Sequence, residues 1–202
     1  MSKIDKSNWD ERFSAEEYVY GTAPNEFFKE QLDKLKPGRL LMLGEGEGRN
    51  AVYAAKIKWE VDAVDFSEQA RIKAMKLAAK ERVNIKYTVS NLIEYKPKKN
   101  FYDALGIIFF HLEKEYITKI FTGAQEALKQ GGVIICEVFS VNQLGRNSGG
   151  PKNLDLLYTV DEMKILFSGL EMDYLEECTV ELNEGLLHQG EAKVIRYVGR
   201  KK

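Results

Sequence analysis

The chain has 202 residues, of which 44% are hydrophobic and 30% charged, and its formal net charge is -1. This length and apolar content predict one globular domain over residues 1–202 with a sizeable core. The balanced charge argues against a broad grip on nucleic acid or an anionic membrane, and no apolar run approaches the roughly 20 residues that span a bilayer. Because the polar N-terminus also lacks the apolar region of a signal peptide, we expect a cytoplasmic protein without nucleic-acid or membrane partners.

Strands and helices alternate over the first two thirds of the sequence. An aromatic-rich N-terminal arm leads into an amphipathic helix that is expected to begin near Pro24 and to end before Pro37. After it, strands are predicted at 39–43, 60–65, 85–91, 102–110 and 132–139, and helices at 49–58, 67–83 and 114–129, the last of them ended by Gly131 and Gly132. Such alternation indicates a parallel sheet with helices on both faces.

The C-terminal third departs from this alternation. A long loop rich in Gly and Asn occupies 141–159, a helix is predicted at 160–169, and two strands at 172–182 and 192–199 are joined by residues 183–191. We therefore predict a Rossmann-like seven-stranded α/β sheet that is mostly parallel, with an antiparallel C-terminal strand. Cys136 and Cys178 lie inside predicted strands, as expected of small core residues in a reducing compartment.

A glycine loop follows the first strand. Gly44, Gly46 and Gly48 stand at alternate positions in "GEGEGRN", directly before a predicted helix, and such a turn can hold a negative charge or a closely bound polar ligand. In the dinucleotide fingerprint the next glycine would stand at position 49, which is Arg49. This glycine spacing disfavours a nicotinamide cofactor. A Walker loop is excluded because no Gly-Lys-Ser/Thr follows.

The loop resembles the first-strand motif of class I S-adenosylmethionine-dependent methyltransferases, acidic-x-Gly-x-Gly-x-Gly. In that family the second strand ends in an acidic residue, and here it ends in Asp65. A narrower resemblance, to small tellurite-resistance-like methyltransferases related in plan to thiopurine methyltransferases, rests on five segments in order: "WDERFSAEEYVYGTAPNEFF", "GEGEGRN", "FFHL", "GGPKNLDLL" and "EGLLHQGEA".

The resemblance implies that the cofactor is S-adenosylmethionine and suggests where it binds. The glycine loop would pack against its methionine part, Asp65 would bind the ribose hydroxyls, and Phe66 would lie beside the adenine. Asn91 stands where the family has an acid at the adenine amino group, and its amide oxygen could accept the same hydrogen bond. The predicted cofactor-binding set is Gly44, Glu45, Gly46, Gly48, Asn50, Asp65, Phe66, Ser67, Asn91, Leu92 and Phe109.

One position departs from the family motif. Met42 stands on the first strand where the motif has an acidic residue, and a thioether cannot neutralise the cofactor's ammonium. Either cofactor binding is weaker, or a loop carboxylate replaces the missing acid. Glu45 is preferred over Glu47 because it directly follows the first glycine.

The chemistry is expected at the carboxyl ends of the strands, where open α/β sheets bind their ligands. His111 follows the fourth strand and His188 lies between the last two strands, so both are predicted at one cavity mouth. Each would orient or deprotonate the acceptor, or alternatively tie down loop backbone. Residues 1–36 would act as a lid carrying Tyr20 as a third catalytic candidate. The substrate residues are predicted to be Asn147 and Arg146.

We therefore predict methyl transfer to a small acceptor: a thiol, a metalloid oxyanion or a small metabolite. A chain without a basic face or an added recognition domain is not expected to methylate nucleic acid. No metal site is predicted, and a monomer or weak dimer is expected. Two alternatives remain, a non-catalytic S-adenosylmethionine-binding protein and, less favoured, a nicotinamide-dependent dehydrogenase.

Overall fold

One seven-stranded sheet organises the computed structural model, which describes residues 6–202. The strands are β1 (Arg39–Leu43), β2 (Glu60–Asp65), β3 (Lys86–Val89), β4 (Tyr102–Ile108), β5 (Leu128–Phe139), β6 (Glu171–Asn183) and β7 (Gln189–Arg200). Their order is β3-β2-β1-β4-β5-β7-β6. All neighbouring pairs are parallel except those of β7, which runs antiparallel to both β5 and β6. The predicted fold class is confirmed.

Helices cover both faces of the sheet. They are α1 (Lys6–Phe13), α2 (Glu26–Leu32), α3 (Arg49–Lys56), α4 (Glu68–Lys80), α5 (Lys114–Ala127) and α6 (Val160–Leu166). The alternation along β1 shows how the layers form: Leu41 and Leu43 belong to the core beneath α5 and α6, whereas Leu40 and Met42 belong to the core beneath α2, α3 and α4. Both cores are buried, as expected for central parallel strands.

Side chains define where several helices begin. Thr159 and Glu162 form a reciprocal capping box at α6, and Ser67 caps α4 by accepting a hydrogen bond from the Ala70 N–H. Asn25 caps α2, so this helix begins at Glu26, two residues after the predicted Pro24 boundary. α1 lies within the N-terminal arm, where no helix was predicted.

Several predicted boundaries differ from the structure by a few residues, and two of the differences have a clear tertiary cause. The helix expected to reach Lys129 ends at Ala127, because Leu128 is buried and pairs with Tyr102 at the start of β5. Tertiary pairing outweighs the helical pattern here. The loop predicted at 183–191 is shorter, since β6 and β7 remain paired up to Asn183 and Gln189 and leave only residues 184–188 unpaired.

Gly48 should be the least replaceable glycine in the loop. Its φ is +90°, and an added Cβ would lie 2.6 Å from Cβ of Ala74 on α4. We expect Gly48→Ala to lower the free energy of unfolding by roughly 1–3 kcal/mol, through backbone strain and overpacking. The measurement is urea denaturation.

The matched control is Gly123→Ala within α5, where an added Cβ meets nothing within 4 Å. There the substitution should be neutral or slightly stabilising, because alanine loses less backbone entropy in a helix. Equal effects at the two positions would contradict the packing role assigned to Gly48.

Candidate active site

A cavity of about 640 Å³ opens at the carboxyl edge of the sheet. It is lined by the glycine loop between β1 and α3, by residues at or after the ends of β2, β3, β4 and β5, by α1 and Tyr20, and by the tip of the β6–β7 hairpin. Of the predicted site residues, it is lined by Tyr20, Gly44, Glu45, Gly46, Asn50, Asp65, Phe66, Asn91, Leu92, Phe109, His111, Asn147 and His188.

Three predicted site residues lie outside the cavity lining. Gly48 packs α3 against α4, as described above. Ser67 caps α4 and donates its hydroxyl to Asp10 at 2.5 Å. Arg146 pairs with Glu191 at 2.5 Å on the surface. These contacts give each residue a structural role, and the structure does not bring them to the cavity.

The glycine turn is fixed from below by Asp65. The Asp65 carboxylate accepts hydrogen bonds from the Gly46 N–H at 2.9 Å and from the Ser67 N–H at 3.0 Å. Tyr87 donates its hydroxyl to the Gly46 carbonyl at 2.6 Å. Because burial outweighs these hydrogen bonds, the pKa of Asp65 is raised above its usual value. The turn is thus shaped around the carboxylate predicted to bind ribose.

Glu45 provides the cap that α3 otherwise lacks. Its Oε1 accepts a hydrogen bond from the Ala51 N–H at 2.7 Å, while Gly48 at the N-cap has no side chain to do so. Its Oε2 is buried and has no hydrogen-bond partner within residues 6–202. Burial raises the pKa of Glu45 to about 8, against the opposing effects of the Ala51 hydrogen bond and the Arg49 charge.

Glu47 serves another purpose: it holds the segment that we name the strap, residues 14–25. Its carboxylate accepts hydrogen bonds from the Val19 and Tyr20 N–H groups, each at 3.2 Å. Lys73 on α4 pairs with the same carboxylate at 2.5 Å. Glu47 is therefore engaged on the side of the strap and is the poorer candidate for the charge missing at Met42.

Lys73 also binds the strap directly. Its ammonium donates to the Ala15 carbonyl at 2.9 Å and to the Glu17 carbonyl, and it lies over the Tyr18 ring at 5.1 Å. Lys73 is only 8% exposed. A buried lysine with three oxygen partners and an aromatic face is fully satisfied, so it fixes the strap to α4.

The strap reaches the hairpin tip on its far side. The Val19 carbonyl accepts hydrogen bonds from the Leu186 N–H at 2.9 Å and the Leu187 N–H at 3.3 Å. The backbones meet without side chains at Gly185, where an added Cβ would lie 2.4 Å from the Gly21 nitrogen. The strap therefore joins the glycine loop to the hairpin across the cavity.

A buried polar cluster connects α3 to the hairpin tip. Arg49 pairs with Glu184 at 2.8 Å, and Glu184 also lies 3.3 Å from Nδ1 of His188. Burial opposes the ionisation of Glu184, but His188 and Arg49 outweigh it and lower its pKa to about 2. Arg49 Nη1 is buried and has no hydrogen-bond partner in the part of the chain that is described.

Aromatic rings form the wall beside this cluster. The His188 ring centroid lies 4.6 Å from that of Tyr20 and 4.7 Å from that of Phe109, and Phe109 stacks on Phe139 at 4.5 Å. We call Tyr20, Phe109, Phe139 and His188 the aromatic wall. Phe109 has φ +52°, which a non-glycine residue adopts only at a cost, and strained backbone of this kind is often found at functional sites.

His111 differs from His188 because both of its ring nitrogens are bound to backbone. Nδ1 lies 2.7 Å from the Leu156 carbonyl, and Nε2 accepts a hydrogen bond from the Phe139 N–H at 3.3 Å. Burial lowers the pKa of His111 to about 4. The ring ties the loop after β5 to the strand end, which favours the structural alternative for this histidine over a role as base.

Sequence reasoning missed Glu184 and Lys73. A lone glutamate in a predicted loop resembles a surface charge, and only the folded hairpin places it against Arg49. Lys73 carried a weak signal, since it falls on the helix face that also bears Ala70, Ala74 and Leu77, where an apolar residue is expected. No group of three His, Cys, Asp or Glu side chains suited to a metal occurs among the described residues.

The sheet order, the glycine turn and the acidic end of β2 at one cavity define the class. The chain is an S-adenosylmethionine-dependent methyltransferase. It belongs to the family of tellurite resistance protein TehB, whose pattern it matches over residues 9–194. The two alternatives to an active methyltransferase are thereby set aside.

Solved structures share the fold at low sequence identity. The structure described for the conversion of a disulfide bond into a thioacetal group during echinomycin biosynthesis aligns with a TM-score of 0.76 and 16% identity, over 98% of this chain and 92% of that one. TehB from Haemophilus influenzae aligns with a TM-score of 0.74 and 18% identity, over 98% of this chain and 67% of that one. A methyltransferase from Clostridium acetobutylicum gives 0.68 and 13%, over 96% of each chain. Comparison with curated protein sequences finds no match.

The residues present fit S-adenosylmethionine. Glu45 and Arg49, which line the same end of the cavity, each carry a buried polar atom without a partner in the described chain, one an acceptor and one a donor. That pairing suits the ammonium and carboxylate of an amino-acid group. Met42, in contrast, is packed in the core against Gly106: a Cβ added to Gly106 would lie 2.5 Å from the Met42 sulfur. A carboxylate at position 42 would therefore be surrounded by apolar groups.

The protonation state of His111 should affect the free energy of unfolding. Because its pKa of about 4 lies below the unfolded value near 6.5, its contribution is complete above pH 6.5 and is lost as pH falls towards 4. The free energy of unfolding of the wild type relative to His111→Gln should decrease by on the order of 2–3 kcal/mol over that range. Urea denaturation at several pH values tests this, and a difference independent of pH would contradict it.

Proposed function

We propose that the chain methylates a small, soft or weakly acidic acceptor that binds against the aromatic wall. One observation carries the proposal: the glycine loop and Asp65 line the same cavity as the aromatic wall. S-adenosylmethionine, when bound, supplies a methyl group on a positively charged sulfur that leaves as a neutral thioether. Alignment and exclusion of water can then provide most of the acceleration.

The chain's residues have distinct tasks in this proposal. Glu45 and Arg49 hold the amino-acid end of the cofactor, and Asp65 accepts hydrogen bonds from its ribose. Phe66, Asn91 and Leu92, which line the same cavity, would contact the adenine. The strap acts as the lid and excludes water, with Tyr20 as its cavity-facing residue.

The acceptor end favours a small molecule with a polarisable atom. Its wall is aromatic, and its one histidine with an uncommitted nitrogen is His188. Arg49 is paired with Glu184, whereas Arg12 and Lys152, which also line the cavity, donate to the Tyr20 hydroxyl and the Arg146 carbonyl. A thiol fits this environment well. A metalloid oxyanion remains a second candidate, because the family is named for tellurite resistance.

Among the described residues no helix has the length and apolar character to cross a membrane.

A panel of acceptors tests the function directly. S-adenosylhomocysteine formation should be measured with small aliphatic and aromatic thiols, tellurite and selenite, and in parallel with a peptide and an oligonucleotide. We expect turnover with one or more small acceptors and none with the two polymers. Asp65→Ala should reduce turnover with every acceptor, since ribose hydroxyls lose their partner at about 1–3 kcal/mol. Methylation of a polymer alone would overturn the proposal.

Glu45 should couple cofactor binding to pH. With a pKa of about 8 it is largely protonated in the free protein at pH 7, and an ammonium partner would favour its ionised form. Binding should therefore release close to one proton at pH 7, and affinity should rise as pH increases towards 8. Calorimetry in buffers of different ionisation enthalpy measures both.

Glu45→Gln keeps the acceptor for the Ala51 N–H and removes the charge. We expect affinity to fall about ten-fold or more, with no proton release from this site. The exposed Glu60→Gln serves as the matched control and should bind as the wild type does. Unchanged affinity and proton release in Glu45→Gln would show that this carboxylate does not meet the ammonium.

A further inference from the structure

Among residues 6–202, Glu184 is the carboxylate in contact with a cavity histidine; its side chain is 10% exposed, and no role follows for it from the glycine loop. We propose that Glu184 is a positioning residue that holds the proton of neutral His188 on Nδ1, leaving Nε2 to accept the proton of a weakly acidic acceptor such as a thiol. This inference deepens the proposed function and rests on it for the identity of the site.

Contacts on three sides fix the Glu184 carboxylate. Oε2 lies 3.3 Å from Nδ1 of His188 and accepts a hydrogen bond from Arg49 at 2.8 Å, while Oε1 accepts one from Asn25 Nδ2 at 3.0 Å. The Glu184 N–H also donates to the His188 carbonyl at 2.8 Å, which closes the hairpin tip. A carboxylate with only acceptor capacity at Nδ1 requires that nitrogen to be the donor.

The backbone of Gly149 lies against the other edge of the ring. An added Cβ at Gly149, where φ is +118°, would lie 2.6 Å from Cδ2 and 3.3 Å from Nε2 of His188. Gly149 and His188 both line the cavity, and no hydrogen bond to Nε2 is formed within residues 6–202. The geometry therefore points Nε2, not Nδ1, towards the acceptor end.

The charges around His188 keep it neutral between turnovers. Burial is the main cause that lowers its pKa, Arg49 and Arg12 lower it further, and only the Glu184 carboxylate opposes them. Tyr20 packs on the ring, and His111, which follows β4, has both of its own nitrogens bound to backbone. A neutral imidazole is the form that can take a proton.

The proton transfer balances simply. The S–H bond of the acceptor breaks, its electron pair stays on sulfur for the incoming methyl carbon, and the proton passes to Nε2. The imidazolium formed is stabilised by Glu184, and the proton leaves to solvent after the product does. An acceptor that is already ionised does not use this step. The residues Glu184 and His188 are therefore needed for acceptors that are protonated at the pH of the reaction.

Two thiols of similar size separate the cases. Benzyl thiol is mainly protonated at neutral pH, whereas 4-nitrothiophenol is mainly ionised. The kcat/KM for each is measured against pH in the wild type, in Glu184→Gln and in Glu181→Gln. Glu181 is an exposed glutamate on β6 outside the cavity lining, which makes the third protein a matched control.

With benzyl thiol, Glu184→Gln should lose about 10²-fold in kcat/KM, because the new amide can donate to Nδ1 and favour the wrong tautomer. Its acid limb should also move to lower pH, since the imidazolium has lost its carboxylate. With 4-nitrothiophenol the loss should be about three-fold or less. Equal losses for both thiols, or an unmoved limb, would overturn the inference.

Nitrogen NMR of the imidazole rings gives a test in which Glu184 and His188 are both left unchanged. The chain has only two histidines, so assignment needs a single variant, His111→Gln. We expect His188 to be protonated at Nδ1 alone at neutral pH, and a proton on Nε2 would overturn the inference. If neither thiol is methylated although the cofactor binds, the proposed acceptor class fails, and the tautomer measurement still decides the role of Glu184.

Discussion

The buried ion pair of Lys73 and Glu47 is the contact on which the site depends. Removing either partner would leave a charge without compensation, at a cost on the order of 3–5 kcal/mol. The pair does more than stabilise, because each partner also binds strap backbone: Lys73 the carbonyls before Tyr18, and Glu47 the N–H groups after it. The glycine loop, α4 and the strap are thus joined by these contacts, and they hold the strap where its residue Tyr20 lines the cavity.

That unit gives the two ends of the cavity different characters. At the glycine loop, Glu45 and Arg49 each carry a buried polar atom without a partner in residues 6–202. At the hairpin tip, Glu184 neutralises Arg49 and leaves the aromatic wall as the main surface. A charged ligand is therefore favoured at the first end and a soft, weakly acidic one at the second. Arg49 belongs to both ends and connects them.

Local patterns were sufficient for the sheet and for the placement of the glycine loop and Asp65 at one cavity. The alternating apolar runs, the three glycines and Asp65 lie close together in sequence, so their arrangement follows from strand, turn and helix geometry. The acceptor side depends on contacts between residues that are far apart in sequence, such as Arg49 with Glu184. The periodicity of the sequence does not predict such contacts. For the same reason His111 and His188 could not be distinguished: both follow strands, and only tertiary structure shows that Leu156 and Phe139 occupy one ring. The single-domain boundaries and a cytoplasmic location stay predictions.

The central claim is that cofactor and acceptor share one roofed cavity with opposite ends. A crystal structure of the protein with S-adenosylhomocysteine tests it most directly. The account predicts the amino-acid group between Glu45 and Arg49, the ribose on Asp65, and the sulfur directed towards the aromatic wall beneath an ordered strap. A ligand whose sulfur points away from His188, or one bound with the strap displaced from Glu47 and Lys73, would contradict it.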